Sequence, residues 1–398
     1  MSLFANRINR INPSATLEMT AKAAELKRLN KPVYNMSVGE PDFSTPINIQ
    51  NAAKFAIDND YTKYTPGSGT HELKSAILTK IKRENNLDYD ITNVIVSCGA
   101  KHALYNACQV LFQSGDEVII FNPYWVSFPD FVSITGAQPV YVKTNSSSQF
   151  EPDFDDLKAK ITNKTKGIII NSPSNPTGGV WSNQAMLEVC DICKNKNIWI
   201  FSDECYEQLV YDQSFESLAS LAPNNSKILT FQSCSKTYAM TGWRIGYTIG
   251  DAQIISAMSK LQGQSTSCPN SIAQHAATEA LLGDQSCILD MKETFKIRRD
   301  LILNELNKNK NLECEIPKGA FYIFPDFSHY LNSKDINNNI IKNATDLAMY
   351  ILDETGVVSV SGDSFGSDGH IRFSYATSEE VIQTAMSLTN EALEKLIF

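Results

Sequence analysis

Three stretches decide the fold: KGIIINSPSNPTGG (166–179), NIWIFSDECY (197–206) and KILTFQSCSK (227–236). Each begins with a short apolar run and then breaks into polar and turn-forming residues. Continuously apolar runs are typical of strands that are buried on both faces of a mostly parallel sheet. In such sheets, ligands bind beyond the carboxyl ends of the strands. The residues that follow each run are therefore the first candidates for function.

The same pattern extends to both sides of these stretches. Strands are predicted at 93–98, 116–121, 138–142, 166–170, 197–201, 227–231 and 244–249. Helical patterns, such as 100–112 and 183–195, lie between them. Alternating strands and helices predict an α/β layered domain, which we place at residues 46–284.

The pattern changes after about residue 285. A helical pattern over 286–308 leads into the extended stretch GAFYIFPDF (319–327). A helix at 344–355, the strand-like VVSVSG (357–362) and HIRFSYA (370–376), and a C-terminal helix follow. These residues predict a smaller α+β domain, formed by 285–398 with residues 1–45 docked on it.

Composition excludes several classes of protein. The chain has 398 residues, of which 42 % are apolar, so it can bury a large core without disulfides. A net charge of −9, from 35 basic and 44 acidic residues, argues against nucleic-acid or membrane-surface partners. Nine cysteines without a repeated spacing indicate reduced thiols. With neither a signal peptide nor an apolar run of about 18 residues, we expect a soluble, cytoplasmic enzyme.

Two strand ends suggest charge chemistry. Gly99, Ala100 and Lys101 stand between a predicted strand and a helix, and the backbone N–H groups of a helix N-terminus attract anions. A glycine there often only makes the turn. Asp203 follows the buried run NIWIF (197–201), where a carboxylate facing a crevice needs a partner. From the residues alone, a surface carboxylate is an equally good interpretation.

A third strand end combines hydroxyls with cations. Ser233 and Ser235 flank Lys236, and Arg244 lies eight residues beyond the lysine. This set suits a phosphate beside a reactive amine, although a solvated loop lysine is the default interpretation. After KGIII, prolines and glycines make a rigid loop that either only turns the chain or holds the Asn175 amide towards the crevice.

Together these segments resemble aminotransferases of fold type I that use pyridoxal 5′-phosphate (PLP). The match is to the class I aspartate aminotransferases, in particular the bacterial branch with a PSAT motif, which includes aspartate/prephenate aminotransferases. It is carried by SNPTG, DECY and SxSK followed by Arg244, together with NPSAT (12–16), VGEPDFSTP (38–46), KYTPGSG (63–69), GDEVIIFNPYW (115–125) and IRFSYA (371–376). The resemblance implies a large domain with a mostly parallel sheet flanked by helices, a smaller α+β domain, and a homodimer with shared active sites.

The resemblance also implies roles for matching residues. Lys236 would form the Schiff base with PLP, Asp203 would pair with the pyridine nitrogen, and Tyr206 would hydrogen-bond the phenolic oxygen. Other implied cofactor contacts are Gly99, Ala100, Lys101, Trp125, Asn175, Ser233, Ser235, Arg244 and, from the neighbouring subunit, Tyr64. Implied substrate contacts are Gly39, Trp125, Asn175 and Arg372 and, for the distal carboxylate, Ser14, Thr16 and Lys101.

The implied reaction is a ping-pong transamination of L-aspartate and 2-oxoglutarate to oxaloacetate and L-glutamate. An aminotransferase with aromatic, alanine or prephenate preference is the alternative. Some branch members that accept prephenate carry a basic residue before the PSAT proline, whereas this chain has Asn12. A non-catalytic binding module of the same fold is a further alternative, but its signature would be loss of Lys236 or Asp203, and both are present.

Two local motifs suggest other chemistry. GDSFG (362–366) fits the G-x-S-x-G of a hydrolase, but that motif must lead directly into a helix, and the following SDGH predicts a turn. Cys190 and Cys193 form one C-x-x-C pair without the two further ligands that a zinc site needs. The five histidines show no metal-ligand spacing, so we predict no metal.

Overall fold

A computed structural model describes residues 3–11 and 15–398, with the side chains of residues 15–20 outside the description. Its α-helices are α1 (Ala15–Arg28), α2 (Ile47–Asp58), α3 (His71–Asn85), α4 (Ala100–Leu111), α5 (Phe128–Ser133), α6 (Phe154–Lys160), α7 (Asn183–Lys196), α8 (Leu218–Leu221), α9 (Cys234–Thr237), α10 (Ala252–Gly263), α11 (Ser271–Leu282), α12 (Ser286–Leu306), α13 (Ala344–Thr355) and α14 (Glu379–Leu393). Its strands are β1 (Tyr34–Asn35), β2 (Val94–Ser97), β3 (Glu117–Phe121), β4 (Gln138–Val142), β5 (Thr144–Asn145), β6 (Glu151–Pro152), β7 (Thr165–Asn171), β8 (Trp199–Asp203), β9 (Ile228–Ser233), β10 (Gly246–Ile249), β11 (Tyr322–Ile323), β12 (Val357–Val358), β13 (Val360–Ser361) and β14 (Ile371–Ser374).

The central sheet contains all seven strands that were predicted between residues 93 and 249. Its order is β2-β10-β9-β8-β7-β3-β4. The pairs from β9 to β4 are parallel, while β10 is antiparallel to both β9 and β2. The α/β class with a mostly parallel sheet is therefore confirmed.

The apolar runs are explained by burial on both faces of this sheet. Successive side chains of a strand point to opposite faces. Ile169 packs in the cluster that contains the apolar face of α4, while Ile168 and Ile170 pack in the cluster that contains the face of α7. Helix α7 begins where the Ser182 hydroxyl caps the Ala185 nitrogen at 3.2 Å. These helices cover the sheet and leave its carboxyl edge to the loops.

The C-terminal part builds a second, smaller layer. Strands β11, β14 and β13 form an antiparallel sheet, and the predicted helix at 344–355 is α13. Within the extended stretch GAFYIFPDF, β11 pairs with β14, and Gly319 and Asp326 form isolated bridges. VVSVSG divides into two strands with different partners, β12 with the N-terminal β1 and β13 with β14. The N-terminal segment thus pairs with this part, while the domain boundaries themselves stay a prediction.

The two competing motifs do not form the sites that they resemble. GDSFG forms a short 3-10 turn (Gly362–Phe365), and the Ser367 nitrogen returns to the Gly362 carbonyl at 3.0 Å. Cys190 and Cys193 are buried on α7, where burial raises the pKa of the Cys190 thiol to about 12. Among the described residues, no three His, Cys, Asp or Glu side chains come together as metal ligands. No helix in the described ranges is both long and apolar enough to span a membrane.

Candidate active site

The carboxyl ends of β7, β8 and β9 open into a cavity of about 540 Å³, a size typical of cofactor and ligand sites. The predicted residues that line it are Gly39, Ala100, Lys101, Trp125, Asn175, Asp203, Tyr206, Ser233, Ser235, Lys236, Arg244 and Arg372. The strand-end rule therefore locates the cavity correctly. Arg372 on β14 and the Gly39 segment after β1 line the same cavity.

Four predicted site residues are not among the lining residues: Gly99, which directly precedes Ala100, and Tyr64, Ser14 and Thr16. Tyr64 does not line the cavity of the single chain, and its side chain is 90 % exposed. Ser14 and Asn12 lie outside the described residues, as does the side chain of Thr16. Their predicted roles therefore stay predictions.

Asp203 is a buried carboxylate that has no cationic hydrogen-bond partner among the described residues. It ends β8 with 5 % of its surface exposed, and its named donors are the backbone nitrogen of Cys205, at 3.2 Å, and the thiol of the same residue. Burial raises its pKa to about 6, although the nearby charge of Lys236 opposes the shift. An acceptor in this state favours a ligand that brings its own protonated nitrogen.

Lys236 lies on α9, directly beyond β9. Burial lowers the pKa of its amine to about 8, and the positive charges of Arg244 and Arg372 act in the same direction, while Cys205 and Glu40 oppose them. Its Nζ donates a hydrogen bond to the Gly39 carbonyl. An amine with a pKa near 8 is neutral in a substantial fraction at physiological pH, as a nucleophile or general base must be.

The N-terminus of α4 and Arg244 make one end of the cavity positive. Gly99 has φ +85°, and a Cβ there would collide with the Arg244 guanidinium. A Cβ at Gly246 would likewise collide with the backbone of Ala100. These glycines allow the arginine, the strand and the helix start to meet closely. Exposed N–H groups and a guanidinium together form a setting that binds dianions such as phosphate.

Arg372 lies at the other end, on β14. It is 3 % exposed; its Nη1 donates to Asn175 Oδ1 at 2.8 Å and its Nη2 to the Ser37 carbonyl at 2.6 Å. Its buried Nε has no hydrogen-bond partner among the described residues. Because both of its named acceptors are neutral, the guanidinium keeps its charge available for a carboxylate.

Asn175 and Trp125 complete the walls. The Asn175 nitrogen donates to Asn171 Oδ1 at 2.8 Å, and Asn171 Nδ2 donates to the Asp203 carbonyl at 3.2 Å, so the loop is fixed across two strand ends. The Trp125 ring lies 4.9 Å from Lys101 Nζ. Burial lowers the pKa of that lysine, and Arg244 adds to the effect.

A second group of buried polar and charged side chains does not line the cavity, although most of its members directly precede or follow cavity residues in the chain. We call this group the buried charge cluster, and it consists of Lys80, Glu204, Glu207 and Gln232. Lys80 Nζ donates to Glu207 and to Gln232 Oε1, and Gln232 Nε2 donates to Glu207 Oε2 at 2.8 Å and Glu204 Oε2 at 3.3 Å. Asp203, the last residue of β8, faces the cavity, while its neighbour Glu204, just beyond the strand, faces the cluster. Sequence reasoning missed this cluster.

Tyr322 is a further lining residue that sequence reasoning missed. It lines the cavity, and its hydroxyl lies 2.8 Å from that of Tyr206. The available signal was the alternation of GAFYIF, which puts Phe321 and Tyr322 on opposite faces of a short strand.

Comparison with known proteins agrees with this geometry. The family model "Aminotransferase class I and II" matches residues 31–387. The chain therefore belongs to the class I and II aminotransferase family.

Individual relatives cover the whole molecule. A curated protein of Cereibacter sphaeroides named aspartate/prephenate aminotransferase is 43 % identical over 388 residues, which are 97 % of each chain. The crystal structure of the aspartate aminotransferase from Rhizobium meliloti superimposes with a TM-score of 0.96, at 41 % identity and with both chains fully covered. A Thermus thermophilus aspartate aminotransferase solved with maleate has a TM-score of 0.92 at 36 % identity, covering 98 % of this chain and 100 % of that one.

Proposed function

We propose that this aminotransferase binds PLP in the cavity and exchanges amino groups between L-aspartate and 2-oxoglutarate, giving oxaloacetate and L-glutamate by a ping-pong mechanism. The observation that carries the proposal is the convergence of Lys236, Asp203 and Arg372 on one cavity. The names of the relatives support the dicarboxylic donor.

The residues of the cavity fit the cofactor. The buried carboxylate of Asp203 suits a protonated pyridine nitrogen, since that nitrogen would supply the positive charge its present donors lack. The Gly99 turn and Arg244, with Ser233 and Ser235 lining the same cavity, suit the phosphate dianion. When bound, PLP supplies an electron-withdrawing ring that stabilises negative charge at the substrate Cα.

The chain's own groups would then move and hold the proton. Lys236, with its lowered pKa, takes the proton from the substrate Cα as a neutral amine and returns it as an ammonium. Tyr206 and Asn175 would donate hydrogen bonds to the phenolic oxygen of the cofactor. Trp125 would stack on the ring of the cofactor and exclude water there.

Two cations would divide the recognition of the substrate. Arg372 holds the α-carboxylate with its planar fork, while the Gly39 segment closes over the amino acid. Lys101 would hold the distal carboxylate together with Ser14 and Thr16. Lys101 lies beside Trp125, and Arg372 lies on β14.

We also propose a homodimer with shared active sites, in which Tyr64 reaches the phosphate of the neighbouring subunit. Its exposed ring belongs to a run of exposed apolar side chains on and after α2, which comprises Ile47, Phe55, Ile57, Tyr61 and Tyr64. Such a surface favours burial against another protein. Sedimentation of the purified protein tests the dimer, and a Tyr64→Phe variant with unchanged PLP affinity would contradict the shared site.

The test of the function is a panel of amino donors with 2-oxoglutarate, followed by prephenate as the amino acceptor. We expect aspartate and glutamate to have the highest kcat/KM. Since one relative is named for prephenate as well, a comparable kcat/KM for prephenate is the second candidate. Borohydride reduction and peptide mapping should attach PLP to Lys236, and attachment to another lysine would contradict the proposal.

A further inference from the structure

We propose that Tyr322 is a positioning residue that connects the two ends of the active site, its hydroxyl holding the phenol of Tyr206 and its ring supporting the guanidinium of Arg372. The inference rests on the proposed function, since Tyr206 is there the partner of the cofactor's phenolic oxygen and Arg372 the partner of the substrate carboxylate.

The hydroxyl pair is the first observation. Tyr206 and Tyr322 are both buried, and their hydroxyl oxygens are 2.8 Å apart. Burial raises the pKa of both phenols, so both keep their protons at neutral pH and only one of them donates in this contact. When Tyr322 donates to Tyr206, the Tyr206 proton is left for an acceptor in the cavity. A hydroxyl that accepts a hydrogen bond is also a stronger donor.

The ring contact is the second observation. The Arg372 Cζ lies 4.6 Å from the centroid of the Tyr322 ring, within the range of a cation–π interaction. Strand pairing fixes this contact, because β11 pairs Tyr322 with Ser374 on the strand that carries Arg372. The Tyr322 ring therefore supports the guanidinium that would meet the substrate, together with the ring of Phe365, whose centroid lies 5.1 Å from the same Cζ.

The backbone around Tyr322 is also tightly held. Ala320, two residues earlier, has φ +56°, a left-handed conformation that is unfavourable for a residue with a Cβ. Its carbonyl accepts hydrogen bonds from the hydroxyls of Tyr211 and Tyr375. On the cavity side, a Cβ at Gly39 would lie 3.0 Å from the Tyr322 hydroxyl. The hydroxyl thus has a fixed place between Tyr206 and the Gly39 segment.

The first test is Tyr322→Phe, which removes the hydroxyl and keeps the ring. In the PLP-loaded protein, the pH midpoint of the visible absorption change should rise by about half a unit, because Tyr206 becomes a weaker donor to the phenolic oxygen. The affinity for maleate, a dicarboxylate without an amino group, should stay within about twofold. In a Tyr206→Phe background, Tyr322→Phe should cause no further shift of the midpoint.

The second test is Tyr322→Leu, which removes the ring as well. Here the same rise of the midpoint should be joined by a roughly tenfold weaker binding of maleate, measured by calorimetry. Tyr350→Phe is the matched control, since it removes a buried hydroxyl that donates to the Ala392 carbonyl, remote from the cavity. It should change neither quantity.

The outcomes separate this inference from the proposed function. A wild-type protein that binds no PLP contradicts the proposed function. A wild-type protein that binds PLP and titrates normally, beside a Tyr322→Phe variant with the same midpoint, contradicts the role of Tyr322 alone. An additive shift in the double variant would also contradict it, because the hydroxyl would then act without Tyr206.

Discussion

Two groups of charged side chains lie at the same strand ends, and they differ in how they are paired. In the buried charge cluster, Lys80 forms an ion pair with Glu207, and Glu204 Oε1 accepts three hydrogen bonds, from Ser202, Ser217 and the Leu218 nitrogen, at 2.9 to 3.1 Å. In the cavity, Asp203 and Arg372 are equally buried, but among the described residues neither forms an ion pair, and their hydrogen-bond partners are fewer. Buried charges that lack ionic partners cost stability, and a protein keeps them where a ligand supplies the partners.

Burial alone does not distinguish charged side chains with a structural role from those with a functional role. Burial and shifted pKa values occur in both groups, since burial raises the pKa of Glu204 to about 7 as well as that of Asp203. A shifted pKa alone therefore does not identify the active site. What distinguishes the cavity is that its charged side chains point into open space with unmet bonding capacity.

The largest expected effect is that of Lys236→Ala. Transamination should fall by at least about 10⁴-fold, because the group that moves the Cα proton is lost, while PLP still binds without a covalent link. Lys158→Ala, which removes an exposed lysine paired with Glu188, is the control and should keep full activity. Steady-state kinetics and PLP titration measure both, and residual activity within tenfold of the wild type would exclude the proposed role.

Lys80→Met should break the buried charge cluster. Removing one partner of a buried ion pair leaves an uncompensated charge, so the free energy of unfolding should fall by about 3–5 kcal/mol. Urea denaturation measures the loss, with activity per folded molecule largely retained. Lys82→Met on the same helix removes an exposed pair with Asp88 and should cost less than about 1 kcal/mol. Equal losses of unfolding free energy in the two variants would show that the buried ion pair contributes no more than the exposed one.

Arg372→Ala and Lys101→Ala should separate the two ends of the substrate. The first should raise KM about 100-fold for every amino donor, since all carry an α-carboxylate. The second should raise KM about tenfold for aspartate and glutamate and leave alanine nearly unchanged. Parallel losses across a donor panel would contradict the assignment of Lys101 to the distal carboxylate.

Asp203→Asn should change the stability of the folded protein by a smaller amount and in the opposite direction. The folded protein raises the pKa of Asp203 from 3.8 to about 6, so the carboxylate costs stability that accumulates as the pH rises from about 4 to about 6 and is full above pH 6. In the absence of PLP, the free energy of unfolding of the variant should exceed that of the wild type by up to about 2 kcal/mol at pH 7. This difference should disappear as the pH falls to 4. Urea titrations at both pH values measure it. A variant less stable at pH 7 would show that the carboxylate is already satisfied by its neighbours.

The sequence predicts the central sheet well because its strands are continuously apolar. All seven runs became strands of one sheet, and polar residues that end or follow β2, β7, β8 and β9 line one cavity. The antiparallel direction of β10 was not predictable, because a strand of four buried residues has the same burial pattern in either direction. Only part of the extended stretch GAFYIFPDF forms a strand, because most of its apolar residues are buried by packing rather than by strand pairing.

The missed residues depend on distant partners. Lys80 meets Glu207 across 127 positions and Gln232 across 152, and Tyr206 meets Tyr322 across 116. No local pattern encodes such pairs. The Glu204 carboxylate was visible in the DECY motif, but only its contacts reveal that it faces the buried charge cluster and not the cavity.

The reversed strand β10 has a consequence for how the site can change. Because β10 runs antiparallel to β9, the chain needs no crossover helix, and Lys236 and Arg244 stay at one edge within a short loop. Arg372 instead arrives from a separate sheet, more than a hundred residues later in the chain. The part of the pocket that suits the cofactor's phosphate is thus built from near neighbours in the chain, and the group proposed for the α-carboxylate comes from a remote sheet. A change in that remote sheet can then alter the binding of the amino acid without displacing the residues proposed for the phosphate.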